Sequence, residues 1–168
     1  MSGAPVTSDG RGKVLAGDEF AKALPAGARL LGLDVGTKTV GVALSDVTRT
    51  IASGVTTLAR TKFAADAQRL LEMMQEHGVG GLVIGLPVSL DGSEGPRAQA
   101  TRAFTRNLGR LTPLPVLLWD ERLTTAAAER SLLEADVSRR RRAQVIDKVA
   151  ATLILQSALD RLKLFERG

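Results

Sequence analysis

Four acidic residues stand where a carboxylate is uncommon. Asp34 ends the apolar run RLLGLD that starts at Arg29, directly before the turn Val35-Gly36-Thr37-Lys38. A carboxylate at the end of a buried strand costs free energy unless a cation or a backbone N–H cap from the Gly36 turn compensates it. Asp120 and Glu121 follow a second run, Pro115 to Trp119. Strand alternation turns these two to opposite faces, so only one can share a site with Asp34. Spacing alone leaves that choice open, and the other acid would pair with a base or cap a helix. Asp147 lies inside a helical pattern beside Ile146, with Ala143, Ala150 and Ala151 around it. Taken singly, it is a solvated helix acid paired with Lys148 or an arginine one turn away. Taken together, two strand ends and one covering helix bring three carboxylates to one sheet edge. Such a cluster, without histidine or cysteine, suits the hard cations Mg²⁺ or Mn²⁺. Sites of this kind hydrolyse phosphodiesters with two ions about 3.5–4 Å apart.

The basic residues fit a phosphate track beside those acids. Arg139, Arg140, Arg141 and Arg142 form an unbroken run just before Asp147. Arg102, Arg106 and Arg110 recur every four residues along one helix face, with Arg97 near its start. Lys38 lies in the turn after Asp34, and Arg122 follows Glu121. Any one of them reads as a solvated surface charge. As a set they suit contacts to a nucleic-acid backbone, which give affinity and salt dependence but little sequence readout. The formal charge of +5 and a pI near 10.2 favour the same kind of partner, although a GC-rich genome also writes arginine often. Aromatic residues are 3% of the chain and tyrosine is absent, which argues against a base-stacking platform. His77, before Gly78 at a helix end, suits the helix dipole better than catalysis. Trp119 reads as core or pocket wall.

The elements that must hold these residues follow from periodicity. Arg29–Asp34 and Gly80–Leu86 are apolar throughout, as strands buried on both faces are. Thr39–Ser45 returns after a glycine turn, so it pairs antiparallel with the first strand. Ile51–Leu58 is a third strand and Pro115–Trp119 a fifth. Helices are expected over Lys62–His77, from Pro96 to about Arg110, from a cap at Thr124 through Glu134, and from about Arg140 to Leu164. The last carries an apolar stripe of Ile146, Val149, Ala150, Leu153, Ile154 and Ser157. The expected fold is α/β, a mixed five-stranded sheet with its first three strands antiparallel, its last two parallel, and helices on both faces.

With 168 residues the chain has room for one domain, expected over 29–168, after a flexible N-terminal tail over 1–28. The absence of cysteine excludes disulfides, thiolate metal sites and cysteine nucleophiles. No apolar run approaches the ~20 residues of a membrane span, and the N-terminus lacks the apolar stretch of a signal peptide. No membrane partner is therefore expected, and the expected location is cytoplasmic.

Four segments carry a family resemblance. Leu33-Asp34-Val35-Gly36-Thr37-Lys38, continuing to Gly41-Val42-Ala43, resembles the first motif of the YqgF (RuvX) family. Val83-Ile84-Gly85-Leu86-Pro87 with Asp91-Gly92-Ser93 resembles its second motif, and Trp119-Asp120-Glu121-Arg122-Leu123-Thr124-Thr125 its third. Val145 to Leu155, with Asp147, Ala150-Ala151 and Ile154-Leu155, resembles the last. The resemblance runs from about Arg29 to Leu164 with the motifs in order. It implies an RNase H-like fold, a metal-dependent endonuclease using Mg²⁺ or Mn²⁺, and Asp34, Glu121 and Asp147 as the catalytic and metal-binding set. Three of the four acids used by the related resolvases have a counterpart here.

Family members are described as nucleases maturing the 5′ end of pre-16S rRNA, and some as Holliday junction resolvases. The implied partner is thus structured RNA, including a ribosomal small-subunit precursor, or branched DNA. Cutting a four-way junction symmetrically requires two sites, hence a homodimer, whereas RNA maturation is compatible with a monomer. Two further readings compete. One is a non-catalytic nucleic-acid-binding assembly factor. The other is a nucleotide-binding module, because Asp34-Val35-Gly36-Thr37 is similar to the phosphate loop of actin-like and sugar-kinase ATPases. Those ATPases bind nucleotide between two such domains, and this chain has room for one.

Overall fold

The computed structural model describes residues 13–124 and 139–167, of which 139–147 and 166–167 are described in backbone only. Five strands form one sheet: β1 (Arg29–Val35), β2 (Thr39–Ser45), β3 (Ala52–Ala59), β4 (Val79–Leu86) and β5 (Val116–Asp120). Their order is β3-β2-β1-β4-β5. The short turn after Val35 keeps β1 and β2 antiparallel, and β3 adds antiparallel to β2. Helices α2 (Phe63–Glu76) and α3 (Pro96–Gly109) separate the later strands, so β4 lies parallel to β1 and β5 parallel to β4. This is the expected mixed sheet, and the C-terminal ends of β1, β4 and β5 lie side by side.

Both faces are covered. Ala67, Leu70 and Met74 of α2 and Phe104 and Leu108 of α3 pack on Leu31, Leu33, Leu82 and Ile84. On the other face lie α1 (Gly17–Ala23) and the final helix α4 (Arg139–Arg167), packed on Leu30, Ala43, Val83, Leu117 and Trp119. The buried stripe of α4 is Ala150, Ala151, Ile154, Leu155, Ala158, Leu159 and Leu162. Val149, Leu153 and Ser157, expected in the stripe, are only half-buried. The reason is Gly32 beneath the helix. A Cβ there would lie 2.8 Å from Leu155 Cβ and 3.3 Å from the Ala151 carbonyl oxygen. Gly32 thus admits the Ala151 and Leu155 side of the helix close against the sheet.

The expected boundary at Ala28 does not coincide with a change in packing. Phe20 is fully buried. Its ring comes within 3.0 Å of where a Cβ on Gly81 would sit, so the glycine of β4 forms its seat. Upstream, Leu15 N–H donates to the Val116 carbonyl (2.9 Å) and Val116 N–H to the Lys13 carbonyl (3.0 Å), extending the sheet beyond β5. Arg49, at φ +54, donates to the Pro25 and Ala28 carbonyls at 3.1 and 2.8 Å. The turn presenting Arg49 is held by Asp46, whose carboxylate accepts from the Thr48 hydroxyl and from Thr50 and Ile51 N–H. Those bonds hold Asp46 down to a pKa of about 2. One phenylalanine in GDEFAKA is too little periodicity to reveal such docking from sequence. The helix expected from Thr124 to Glu134 lies outside the described residues after Thr124 itself.

Candidate active site

Alternation along β1 settles where Asp34 points. Leu31, Leu33 and Val35 enter the α2/α3 side, whereas Leu30 and Gly32 meet α1 and α4. Asp34 therefore stands on the α4 side, 8% exposed. Its neighbour on β2 is Gly41. On β4, carrying the register one residue past Leu33↔Ile84 brings it beside Gly85. Gly85 in turn pairs with Trp119. The central carboxylate is thus flanked by two residues without side chains.

The chain supplies the second acid by leaving the sheet. β5 ends at Asp120, and Glu121–Leu123 form a 3₁₀ turn. Asp120 caps that turn, accepting from Arg122 N–H at 2.9 Å and from the Arg122 guanidinium at 2.7 Å. These bonds, the side-chain one foremost, lower its pKa. Glu121 folds back over β4. Its Oε2 and Cδ lie 3.1 and 3.3 Å from where a Cβ on Gly85 would sit, alongside Ile154 Cδ1 at 2.6 Å. Thr124 closes the turn by donating its hydroxyl to the Glu121 carbonyl at 3.0 Å. Of the two acids that the strand pattern left open, Glu121 is the one whose carboxylate lies over Gly85, and Asp120 is bonded to Arg122. Leu117 and Trp119 face α4, so the same alternation carried one residue past the strand end puts Glu121, like Asp34, on that side.

Asp147, the third expected acid, belongs to α4 one turn before Ala151 and two before Ile154; its side chain lies outside the described residues. Among the described residues, no three His, Cys, Asp or Glu side chains gather as metal ligands would. The described pair still fits a divalent ion. Glu121 projects over the glycine beside Asp34, a strand spacing of ~4.8 Å away. Both side chains offer hard carboxylate oxygens, the donor type such an ion takes. In the same row, the buried Trp119 Nε1 has no hydrogen-bond partner among the described residues.

Comparison with known proteins identifies the family. The family model described as "RuvX: Holliday junction resolvase" matches residues 28–161. The chain belongs to the RuvX family. A Paracoccus denitrificans protein named "Putative pre-16S rRNA nuclease" is 63% identical over 150 residues, 89% of this chain and 95% of that one. A Rhodobacter capsulatus protein of the same name is 60% identical over 145 residues, 86% of this chain and 91% of the other. Two solved structures share the fold. Thermus thermophilus RuvC in complex with a Holliday junction substrate has a TM-score of 0.51 at 12% identity, over 81% of this chain and 96% of that one. The yeast mitochondrial Holliday junction resolvase has a TM-score of 0.52 at 10% identity, over 90% and 86%. The RuvX sheet is thus the RNase H-like one of the resolvases, as expected.

The basic residues of this RuvX chain divide sharply. Arg102 is committed to Glu94 through two bonds of 2.6 and 2.8 Å, which lower the Glu94 pKa and raise that of Arg102. Arg122 is committed to Asp120 and also donates to the Leu90 carbonyl at 3.4 Å. Both line a cleft of about 480 Å³ between Val14–Gly17 and the β4–α3 loop. Arg106 is exposed on α3, and the side chains of Arg139 to Arg142 lie outside the described residues. Arg97 and Lys38, both exposed, flank the turn after Asp34.

Sequence reasoning missed Arg60 and Gly85. Arg60 follows Ala59, the register partner of Thr39, so the hairpin register brings it opposite the same turn. It donates to the Gly36 carbonyl at 2.6 Å, and its guanidinium lies 5.5 Å from the Phe104 ring centroid. Gly85 was visible only as part of a motif.

Proposed function

We propose that this chain is a metal-dependent endonuclease that hydrolyses phosphodiester bonds in structured nucleic acid, and that its substrate is the 5′ leader of pre-16S rRNA. The observation that carries the reading is the Glu121 carboxylate lying over Gly85, the β4 residue that the register carries beside Asp34, at the carboxyl edge of the sheet. Asp34, Glu121 and Asp147 would hold Mg²⁺ or Mn²⁺. When bound, such ions lower the pKa of an attacking water and stabilise the leaving oxygen. The chain's own part is positioning. Asp34 is immobilised in a central strand. The Asp120–Arg122 pair and the Thr124 hydroxyl fix the turn that aims Glu121. Ile154 walls the site from the α4 side.

The RNA substrate is supported by relatives near 60% identity that bear the pre-16S name. The description of the matching family favours a second substrate, the four-way DNA junction, cut by a homodimer. A pre-rRNA nuclease would work in the cytoplasm on a ribosomal small-subunit precursor. Among the described residues, no helix is long and apolar enough to cross a membrane.

The test offers purified protein and its Asp34→Asn variant a pre-16S leader RNA and a mobile four-way junction, each with Mg²⁺, Mn²⁺ or EDTA. Metal-dependent cutting of the RNA at one site, abolished by the substitution, is expected. Paired nicks in the junction with the RNA intact would replace the first substrate by the second. Cutting of neither, or undiminished cutting by Asp34→Asn, would overturn the nuclease reading.

A further inference from the structure

Three cations of separate elements converge on the five residues that follow Asp34. Arg97, at the start of α3, donates to the Val35 carbonyl at 3.2 Å. Arg60, just past β3, donates to the Gly36 carbonyl at 2.6 Å, and its own N–H bonds the Lys38 carbonyl at 2.8 Å. Lys38 itself projects from the turn, which Gly36 N–H closes on the Thr39 carbonyl at 2.8 Å. Among the described residues, no carboxylate is in a salt bridge with any of the three. The contrast with Arg102 and Arg122 is direct, since those charges are already matched by Glu94 and Asp120. The roles within the trio also differ. Arg60 is half-buried, lies over the Phe104 ring and spends a donor on the turn, so it braces. Arg97 spends one of its five donors on Val35 and is otherwise exposed, and Lys38 is exposed with its three. The first turn of α3 adds the positive end of a helix dipole, with no acidic side chain there to oppose it.

We propose that Lys38 and Arg97 form a backbone-phosphate subsite beside Asp34, braced by Arg60. The substrate strand would then enter over the β1–β2 turn and the start of α3, not over Arg102 and Arg122. This deepens the nuclease reading by naming the side from which the nucleic acid approaches. The subsite reads phosphate, so it serves RNA and DNA alike.

The test is equilibrium binding by fluorescence anisotropy in EDTA, which needs no metal and no cleavage. The probes are a fluorescein-labelled pre-16S leader RNA and a labelled four-way junction. Each lost phosphate contact should lower the slope of log K against log salt by about 0.7–0.9. Carried from ~1 M to ~0.1 M salt, that slope makes binding about 5–8-fold weaker per contact at ~0.1 M. Lys38→Ala and Arg97→Ala are each expected to show this on whichever probe binds, and together about 25–60-fold. Arg161→Ala removes the same charge from an exposed site in the C-terminal half of α4, and should leave slope and affinity within twofold of wild type. Arg60→Lys keeps charge but not the planar brace. It should leave the salt slope intact while slowing metal-dependent cleavage. Wild-type slope and affinity in the Lys38→Ala/Arg97→Ala double variant would overturn the subsite and leave the nuclease reading standing. If the wild-type protein bound neither probe, both would fall.

Discussion

Replacing Gly85 by alanine tests the geometry of the acid pair without touching either acid. The new methyl would sit 2.6 Å from Ile154 Cδ1 and 3.1 Å from Glu121 Oε2. Ordinary carbon contacts are about 3.5–4 Å. Ile154 Cδ1 must therefore retreat by about 1 Å in a fully buried site, and the Glu121 carboxylate by a few tenths of an ångström. Overpacking of this kind costs about 1–3 kcal/mol. Alanine recovers about 0.5–1 kcal/mol of the backbone entropy that a strand glycine loses. The net loss is then about 0–2.5 kcal/mol, or up to about 10 °C in Tm for a chain of this size. The effect on chemistry is larger in proportion. A displacement of ~1 Å costs about 100-fold in rate, so a few tenths should cost about tenfold.

A second substitution separates the two effects. Ile154→Val in the Gly85→Ala background removes the atom at 2.6 Å but not the one at 3.1 Å. Stability should return toward wild type while the cleavage rate at saturating Mn²⁺ stays about tenfold down. Thermal unfolding reads the first, and single-turnover cleavage of the leader RNA reads the second. Trp119 is the only tryptophan and pairs with Gly85, so its fluorescence reports Mn²⁺ binding on the same samples. Two results would refute the reasoning: wild-type cleavage by Gly85→Ala, or full recovery of the rate in the double variant. Either would mean that Glu121 does not act from its place over Gly85.

Two further outcomes concern the framework. Phe20→Ala should cost about 3–5 kcal/mol in urea unfolding, because the ring is fully buried on Gly81; a change below about 0.5 kcal/mol would mean that α1 is not part of the fold. Asp46 carries a pKa lowered to about 2 by the Thr48 hydroxyl, then by Ile51 and Thr50 N–H. Its unfolded value is near 3.9, so its contribution is complete above about pH 5 and is lost as the pH falls toward 2. The Tm difference between wild type and Asp46→Asn should shrink over that interval, and a difference independent of pH would contradict the assignment.

The parts of this fold legible in sequence are those that depend on one element at a time. β1 and β4 read as buried strands because both their faces are apolar, and the hairpin between β1 and β2 reads from its glycine turn. What could not be read depends on two elements meeting. The buried side of α4 is the one that Gly32 of a distant strand admits, where Ala151 and Leu155 approach closely. The docking of α1 depends on Gly81 making room for one ring. Which of Asp120 and Glu121 shares the Asp34 side depends on which face of β5 meets α4, and the packing of Leu117 and Trp119 there puts Glu121 on it.

The same distinction governs the cations. In sequence, Arg97, Arg102 and Arg122 look equivalent, each a lone arginine near a motif. Their difference lies in acids that only the fold brings into place: Glu94 meets Arg102 across the start of α3, and the strand end turns Asp120 onto Arg122. A guanidinium bonded to a carboxylate has its charge compensated and part of its donor fork engaged. It would have to break that pair before it could hold a phosphate, so its contribution to binding is reduced by what the pair was worth. Arg97 is bonded to a carbonyl, which takes one donor and leaves the charge uncompensated. Net charge therefore predicts that a polyanion binds, and the distribution of neighbouring acids predicts where. On the proposed subsite, the strand would approach from the Lys38 and Arg97 side of Asp34.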